Sequence, residues 1–426
     1  MRTLAIIAEY NPFHNGHAYH LAAARRLTGA DYTIALMGGN FLQRGEPAMW
    51  DKYTRAKMCT RAGIDLALEL PFAYAAGSAM DFACGAARIL DALQVVDYLC
   101  FGAETEDISF FEQLSDIVIE EPAPYQDKLR SYLVQGISYP AARCLALAAY
   151  MNNPSFSDIL SSPNNILALE YMCALKRTGS SIKPILIPRK DAAYHDDKLN
   201  RHISSATAIR RALSETPDFP EEKFATTIAD DIPDSSLDII KHTYGVSAPI
   251  YPNDLTPFLQ TARLISSDSA GNEICDMNRE LNDRLRHLPS YLKFTETCGL
   301  LKTKNYTATR INRALLHLLL QYTEEDRSNF IHYGYAQYAN ILSFRRESNT
   351  LLRAINKKSR IPLITKKADF ASYINQYCSS FASVNPDTAA RMWELDTKAT
   401  ELYNCMIYNR YGFENTNDYT TILPIV

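Results

Sequence analysis

No apolar run in this chain approaches the length of a membrane-spanning helix, and no segment of it repeats. Long linkers and low-complexity tracts are also missing, which excludes solenoid and mainly disordered architectures. Nine cysteines are present, an odd number with no C-x-x-C pair, so neither a zinc ribbon nor a disulfide framework is indicated. Reduced thiols in a cytoplasmic protein are the expectation. A signal peptide is not expected, because one Arg and only five apolar residues precede Glu9. Strong charge of one sign is missing too: 44 Lys and Arg against 48 Asp and Glu leave a net charge of −4. That balance alone gives no reason to expect a nucleic-acid partner. What remains is a 426-residue chain, 47% hydrophobic and 22% charged. Its composition is that of a globular protein, and its length exceeds one ordinary core, so two domains are expected.

The stretch Ile6 to His20, I-I-A-E-Y-N-P-F-H-N-G-H-A-Y-H, organises the rest. Leu4 to Ala8 is an apolar run suited to a buried strand. Asn11-Pro12 breaks it, since proline removes a ladder donor and extends the residue before it. His14-Asn15-Gly16-His17 then leads into the helix-forming run Ala18 to Leu27. A helix N-terminus offers unpaired N–H groups and the positive end of a dipole, and Gly16 lets backbone approach a ligand closely. Histidines there can donate to phosphate oxygens as charge shifts between them. A zinc site built from His14, His17 and His20 is an alternative, but no Cys, Asp or Glu follows at ligand spacing. Histidines with no role beyond packing are another. The strand-turn-helix context favours phosphate.

Further short apolar runs follow: Asp31–Met37, Asp65–Leu70, Asp97–Phe101 and Lys183–Pro188, with helical patterns at Asp51–Ala62 and Ser78–Leu93 between them. This alternation predicts an α/β fold with a parallel, Rossmann-like sheet covered on both faces. Gly38-Gly39 and Gly102 close strands where such sheets hold their ligands, although each also serves as a plain turn glycine. Arg44, in N-F-L-Q-R-G-E-P, reaches either a phosphate or a carboxylate, or simply solvent. Residues 108–151 read as helical. Asn164 precedes a periodic helix and suits a capping role. Arg189-Lys190 ends the fifth strand at positive charge, well placed for a triphosphate.

A second motif, I-S-S-A-T-A-I-R-R from Ile203, has Ser204 or Ser205 to cap a helix, Thr207 in its first turn and Arg210 further in. An ordinary capped helix reads the same way. Beyond Pro220 the alternation stops and long helical patterns dominate, with Arg310 and Arg313 one turn apart on a helix from Thr307 to Tyr322. From Lys293 to Lys367 there are fourteen Lys and Arg against five Asp and Glu, a local balance of +9. Tyr306, Tyr322, Tyr333, Tyr335, Tyr338 and Phe344 are interleaved with them. Such a stretch either binds RNA by charge and stacking, or is a solvated basic face over an aromatic core. The final I-L-P-I-V is expected to pack back on the body.

H-x-G-H and the serine-rich helix start, about 190 residues apart, resemble the two signatures of the nucleotidyltransferases that share a fold core with class I aminoacyl-tRNA synthetases. Over nearly the whole length the chain resembles the bacterial tRNA(Met) cytidine acetate ligases. The resemblance is carried by E-Y-N-P-F-H-N-G-H from Glu9, N-F-L-Q-R-G-E-P from Asn40 and P-N-N-I-L-A from Pro163. It continues in A-A-Y-H-D from Ala192, S-A-T-A-I-R from Ser205 and T-R-I-N-R-A-L-L-H from Thr309. N-F-L-Q-R-G-E-P discriminates best, because generic nucleotidyltransferases lack it. The resemblance implies ATP as substrate, with Mg²⁺, and acetate activated to acetyladenylate with release of pyrophosphate. The acetyl group then passes to the N4 amine of the wobble cytidine of elongator tRNA(Met). It implies an ATP site at Ile7, Ala8, Glu9, Tyr10, Asn11, Pro12, Phe13, His14, Asn15, Gly16, His17, Ala18, Tyr19 and His20, with Gly102, Asn164, Arg189, Ser205, Thr207 and Arg210. It further implies His14 and His17 as the catalytic pair. Residues 1–220 are expected to form the ATP-binding domain and 221–426 a mainly helical tRNA-binding domain. An adenylyltransferase of a small phosphorylated molecule, or a tRNA-binding protein without catalysis, are the rival readings.

Overall fold

A computed structural model describes residues 1–153, 156, 159–160, 162–188, 204–214, 228–265 and 273–426. Seven strands form one sheet: β1 (Thr3–Ala8), β2 (Tyr32–Gly38), β3 (Leu66–Leu70), β4 (Tyr98–Ala103), β5 (Lys183–Pro188), β6 (Ala339–Phe344) and β7 (Leu363–Ile364). Their order across the sheet is β5-β4-β1-β2-β3-β6-β7. Strands β1 to β5 run parallel, joined by crossovers that include α1 (Asn15–Thr28), α2 (Lys52–Arg61), α3 (Ala79–Ala92) and α4 (Pro163–Thr178). Leu4, Ile6, Ala35 and Met37 point into one core, while Ala5, Ile34 and Leu36 point into the other. β1 to β4 are largely buried on both faces, which is why they read as short, mainly apolar runs.

The chain lays down β1, β2 and β3 in one direction, then crosses back to place β4 on the other side of β1. Where the order reverses, the crossovers leave β1 and β4 on opposite faces of the sheet. A crevice opens between the two C-terminal ends, the usual ligand position in such sheets. The first signature joins the end of β1 to the start of α1 beside that crevice.

The sheet is larger than the sequence pattern indicates. The second half of the chain, expected to be helical, contributes β6 antiparallel to β3, and β7 beside it. Polar residues hide β6 from a hydrophobicity pattern. Asn340 is buried and donates to Glu69 Oε2 at 2.7 Å, and the buried Ser343 hydroxyl lies 2.9 Å from that of Thr60. Satisfied by partners distant in sequence, these groups cost little, but they interrupt the apolar run. The helical stretch at 108–151 is three helices, Ile108–Glu120, Ala123–Val134 and Tyr139–Tyr150, broken after Glu121 (φ 45°) and at Gly136 (φ 76°).

A 26-residue helix, Pro386–Tyr411, brings the C-terminal tail home. There Val426 donates to the Phe344 carbonyl at 3.0 Å, so the tail's backbone pairs with the end of β6. The Ile422 side chain stays 91% exposed while Leu423 packs against the core, so the tail is held by backbone, by Asp418 and by Leu423. Asp418 is buried and lies 2.8 Å from Lys52 Nζ, at the start of α2.

Candidate active site

His14 is the N-cap of α1, in extended geometry, and its Nδ1 accepts from the Gly16 N–H at 3.0 Å. His17 answers from the third helical position: its Nδ1 accepts from the His14 N–H at 3.3 Å. Two histidines thus form the reciprocal capping box usually made by Ser or Thr with Glu. The consequence is chemical. A neutral imidazole that accepts at Nδ1 carries its proton on Nε2, so both rings are set as Nε2–H donors. Their centroids lie 3.8 Å apart. Tyr10 and Phe13 are buried, and their rings pack on His17 with centroids 4.9 and 5.6 Å away, which fixes its orientation. Ile7 and Ala8 end β1, Asn11 is buried with its side chain accepting from the Met49 N–H, and Asn15 donates to the Asp230 carbonyl at 2.9 Å. Ala18, Tyr19 and His20 continue α1 behind the histidines.

The second signature is brought to the first. Helix α5 (Ala206–Ser214) starts with Ser205, whose hydroxyl accepts from the Ala208 N–H at 3.0 Å. Arg210 donates to the Asn11 carbonyl and to the Thr207 hydroxyl, both at 3.2 Å. A cation from α5 is therefore anchored on the histidine loop itself. Burial lowers its pKa somewhat, against the opposing carboxylates of Glu9 and Glu46.

Arg55 is a residue the sequence pattern gives no reason to select. It is wholly buried and spends its donors on the carbonyls of Glu9, Gly38, Gly39 and Trp50, at the C-terminal ends of β1 and β2 and the start of α2. Burial lowers its pKa, with Tyr403, Asp51, Glu9 and Glu69 opposing. A guanidinium neutral only at extreme pH sits below the crevice and adds positive potential where phosphates would lie.

Gly102 is the penultimate residue of β4, opposite Ile187 of β5. Asn164 does not cap α4; Ser162 holds that position. Asn164 instead donates to Glu104 Oε1 at 2.6 Å, while Asn165 accepts from the Glu104 N–H at 3.0 Å. The start of α4 is thereby tied to the turn after Gly102, on the β4 side of the crevice. Arg189, and with it Lys190, Ala192 to Asp196, His202 and Ile203, lies outside the described residues.

Beside the histidine loop is a cleft of about 270 Å³, lined by Glu9, Asn11, Arg44, Glu46, Arg210 and Tyr251 among others. Its floor is the discriminating loop Asn40 to Pro47. Gln43 N–H donates to Glu9 Oε1 at 3.0 Å, Leu42 N–H to the Glu46 carbonyl at 3.0 Å, and Phe41 bridges to Pro47. Gly45 (φ 71°) lies flat on α7 (Ala308–Leu320), reached through α6 (Phe294–Leu301); a Cβ there would sit 2.4 Å from the Arg313 nitrogen. Asn312 then donates to Glu46 Oε1 at 3.2 Å. The motifs N-F-L-Q-R-G-E-P and T-R-I-N-R are one structural unit.

Arg310 and Arg313 are not a free basic face. Arg313 is buried and donates to Asp276 Oδ2 at 2.8 Å, and Arg310 reaches the Asp276 carbonyl at 3.3 Å. Arg327 pairs with Asp81 at 3.0 Å, and Arg345 lies 3.9 Å from Asp65. These carboxylates all lie outside the window that gave +9, so that balance overstates the exposed charge. Of the aromatics in the same stretch, Tyr306, Tyr322 and Tyr338 are buried, which makes them core.

A doubly wound sheet with an Nε2–H histidine pair at its switch point, faced by a serine-capped helix carrying arginine, defines a nucleotidyltransferase site. The HIGH Nucleotidyl Transferase family matches residues 1–418 of the chain. Among curated relatives, the tRNA(Met) cytidine acetate ligase of Caldanaerobacter subterraneus subsp. tengcongensis is 36% identical, with 100% of both chains covered. The enzyme of the same name from Thermoanaerobacter sp. strain X514 is 38% identical over 96% of each. Thermotoga maritima TmcAL bound with alpha-thio ATP superposes with a TM-score of 0.89, and its apo form with 0.92, each 31% identical over the full length of both chains. The chain belongs to the tRNA(Met) cytidine acetate ligase family.

Proposed function

We infer that this chain condenses acetate with ATP to acetyladenylate and passes the acetyl group to the N4 amine of the wobble cytidine of elongator tRNA(Met). The observation that carries this reading is the convergence of both signatures with a second, family-specific cleft at the same sheet edge. Acetate is already ionised at neutral pH, so activation needs no base. Its carboxylate attacks the α-phosphorus, and charge grows on the α-phosphate and on the departing pyrophosphate. The Nε2–H groups of His14 and His17 and the start of α1 stabilise the former, and Arg210 with the start of α5 the latter. Gly102 and Asn164 belong to the β4 side, where a nucleoside would lie, and Arg189 is assigned to the phosphates.

Among the described residues no group of three or more His, Cys, Asp or Glu side chains is arranged to hold a metal ion. A Mg²⁺ arriving with ATP would take most of its ligands from phosphate and water, as this ion commonly does. No protein-held metal step is assigned.

Acetate-dependent ATP–pyrophosphate exchange by the purified protein tests the reading. Exchange that needs acetate is the expected result. Exchange indifferent to acetate but driven by a phosphorylated small molecule would replace it with the adenylyltransferase reading.

The tRNA is assigned to the helical second half, on the side of the cleft. Thr295 of α6 bonds through N–H and Oγ1 to Asn253 Oδ1, at 3.1 and 2.9 Å, beside Pro252 on the cleft wall. Lys302 and Lys304 follow directly and are exposed. Replacing both by alanine is expected to weaken tRNA(Met) binding and to flatten the salt dependence by about two counterions, in log K against log salt. An unchanged slope would remove this face. The Arg310→Ala/Arg313→Ala variant is expected to lower stability instead, because it strips Asp276 of its arginine partners.

A further inference from the structure

The adenylation step leaves the carboxylate of Glu46 without a task, yet the fold positions it with care. Three elements converge on it. Its own loop is closed by the Leu42–Glu46 bond, α7 supplies Asn312, and α5 supplies Arg210 across the cleft. The second half-reaction, by contrast, lacks a proton acceptor. The exocyclic amine of cytosine shares its lone pair with the ring and must lose a proton as it becomes an amide. His14 and His17 cannot take that proton, since each already uses Nδ1 as an acceptor and holds hydrogen on Nε2. Glu9 lines the same cleft but spends Oε1 on the Gln43 N–H that shapes the loop.

We propose that Glu46 is the general base of acetyl transfer. When N4 attacks the carbonyl carbon of acetyladenylate, the C–N bond forms and the bond from that carbon to the phosphate oxygen breaks. AMP departs with the electron pair, and the N4 proton moves to the Glu46 carboxylate and from there to water. This assignment rests on the acetyl-transfer reading above.

The surroundings suit the role. Burial raises the Glu46 pKa from its ordinary value, against Arg210 and Arg44, with Glu9 raising it further and the Asn312 hydrogen bond opposing. Cys298 of α6 also faces it, but burial pushes that thiol up to about 12, so it stays neutral. A carboxylate with a raised pKa is a stronger base, and it remains useful as long as it is ionised at the working pH.

Glu46→Gln tests this, because the amide oxygen can still accept from Asn312 and keep the loop in place. Two rates are measured on the full chain: acetate-dependent ATP–pyrophosphate exchange and acetyl transfer to unmodified tRNA(Met). Transfer is expected to fall ~10²-fold, far more than exchange, and the acid limb of the transfer pH–rate profile is expected to vanish. Glu46→Asp, with a shorter reach, is expected to fall between and to keep the acid limb. Transfer at the unaltered rate would overturn the proposal, as would equal losses in both half-reactions, which would make Glu46 a support for the loop. Wild-type protein showing no acetate-dependent exchange would overturn the acetyl-transfer reading first, and the role of Glu46 with it.

Discussion

His17→Ala is expected to cut acetate-dependent ATP–pyrophosphate exchange by ~10²–10³-fold, the usual loss for one donor aimed at a developing charge. The side chain has two separable jobs. Its Nδ1 closes the capping box on the His14 N–H, and its Nε2–H is presented at the head of α1. Loss of the first costs about 1 kcal/mol of stability and loosens the turn; loss of the second removes charge stabilisation in the transition state. His17→Gln separates the two. Glutamine at the third helical position can still accept from the N-cap N–H, as in ordinary capping boxes. The glutamine variant is therefore expected to melt close to wild type while remaining slow in exchange. Affinity for tRNA(Met) is expected to survive in both variants, because His17 belongs to the nucleotide crevice. A His17→Ala protein that makes acetyladenylate at the wild-type rate would take the residue out of the chemistry.

The first half of the fold was legible because most of its strands are largely buried on both faces. An apolar run is then the whole signal, and β1 to β5 lie where the runs predict. The histidine loop was legible for a related reason: strand end, helix start and residue type all reside within fifteen consecutive positions. What escaped depends on partners far away in sequence. Strand β6 is interrupted by Asn340 and Ser343, which are affordable only because Glu69 and Thr60 wait across the sheet. Arg55 leaves no trace, since it binds carbonyls that every residue carries. The basic stretch carries less exposed charge than its sequence shows, for the opposite reason. A window counts cations but not Asp276, Asp81 and Asp65, which the fold brings to them from elsewhere. The pairing of Glu46 with Asn312 joins two motifs 266 positions apart, each visible in the sequence while their contact is not.

Lys52→Met is expected to destabilise the protein by about 3–5 kcal/mol, the range for removing one partner from a buried ion pair. Lys52 is 1% exposed, and its Nζ lies 2.9 Å from both oxygens of Glu69 and 2.8 Å from Asp418 Oδ1. Burial alone would lower its pKa, but Asp418 and Glu69 reverse this and hold the ammonium charged. Methionine matches the shape and leaves two buried carboxylates behind. Lys367, the other cation of the cluster, offsets the loss only in part. Lys367 donates to Asn340 and to the Ile341 carbonyl at 2.7 Å, and burial, with Lys52 adding to it, pulls its pKa down to about 8. Asp396, pushed up to about 8 by burial with Glu69 adding to it, is mainly neutral at pH 7. Charge in this pocket therefore balances only while Lys52 is present. The damage should reach the active site. Asn40 Oδ1 accepts from the Lys52 N–H at 2.7 Å, and Gly39 lies so near Glu69 that a Cβ would be 2.6 Å from its Oε1. A Glu69 carboxylate without its ammonium is left against Gly39, at the head of the loop that runs to Pro47. Urea unfolding should thus show a lower midpoint, and both half-reactions should slow together in the surviving folded protein. Adding Asp418→Asn is expected to return part of the stability by removing one orphaned charge. A loss below about 1 kcal/mol in the single variant would show instead that water already reaches this pair, and that the tail is held by its backbone pairing with β6.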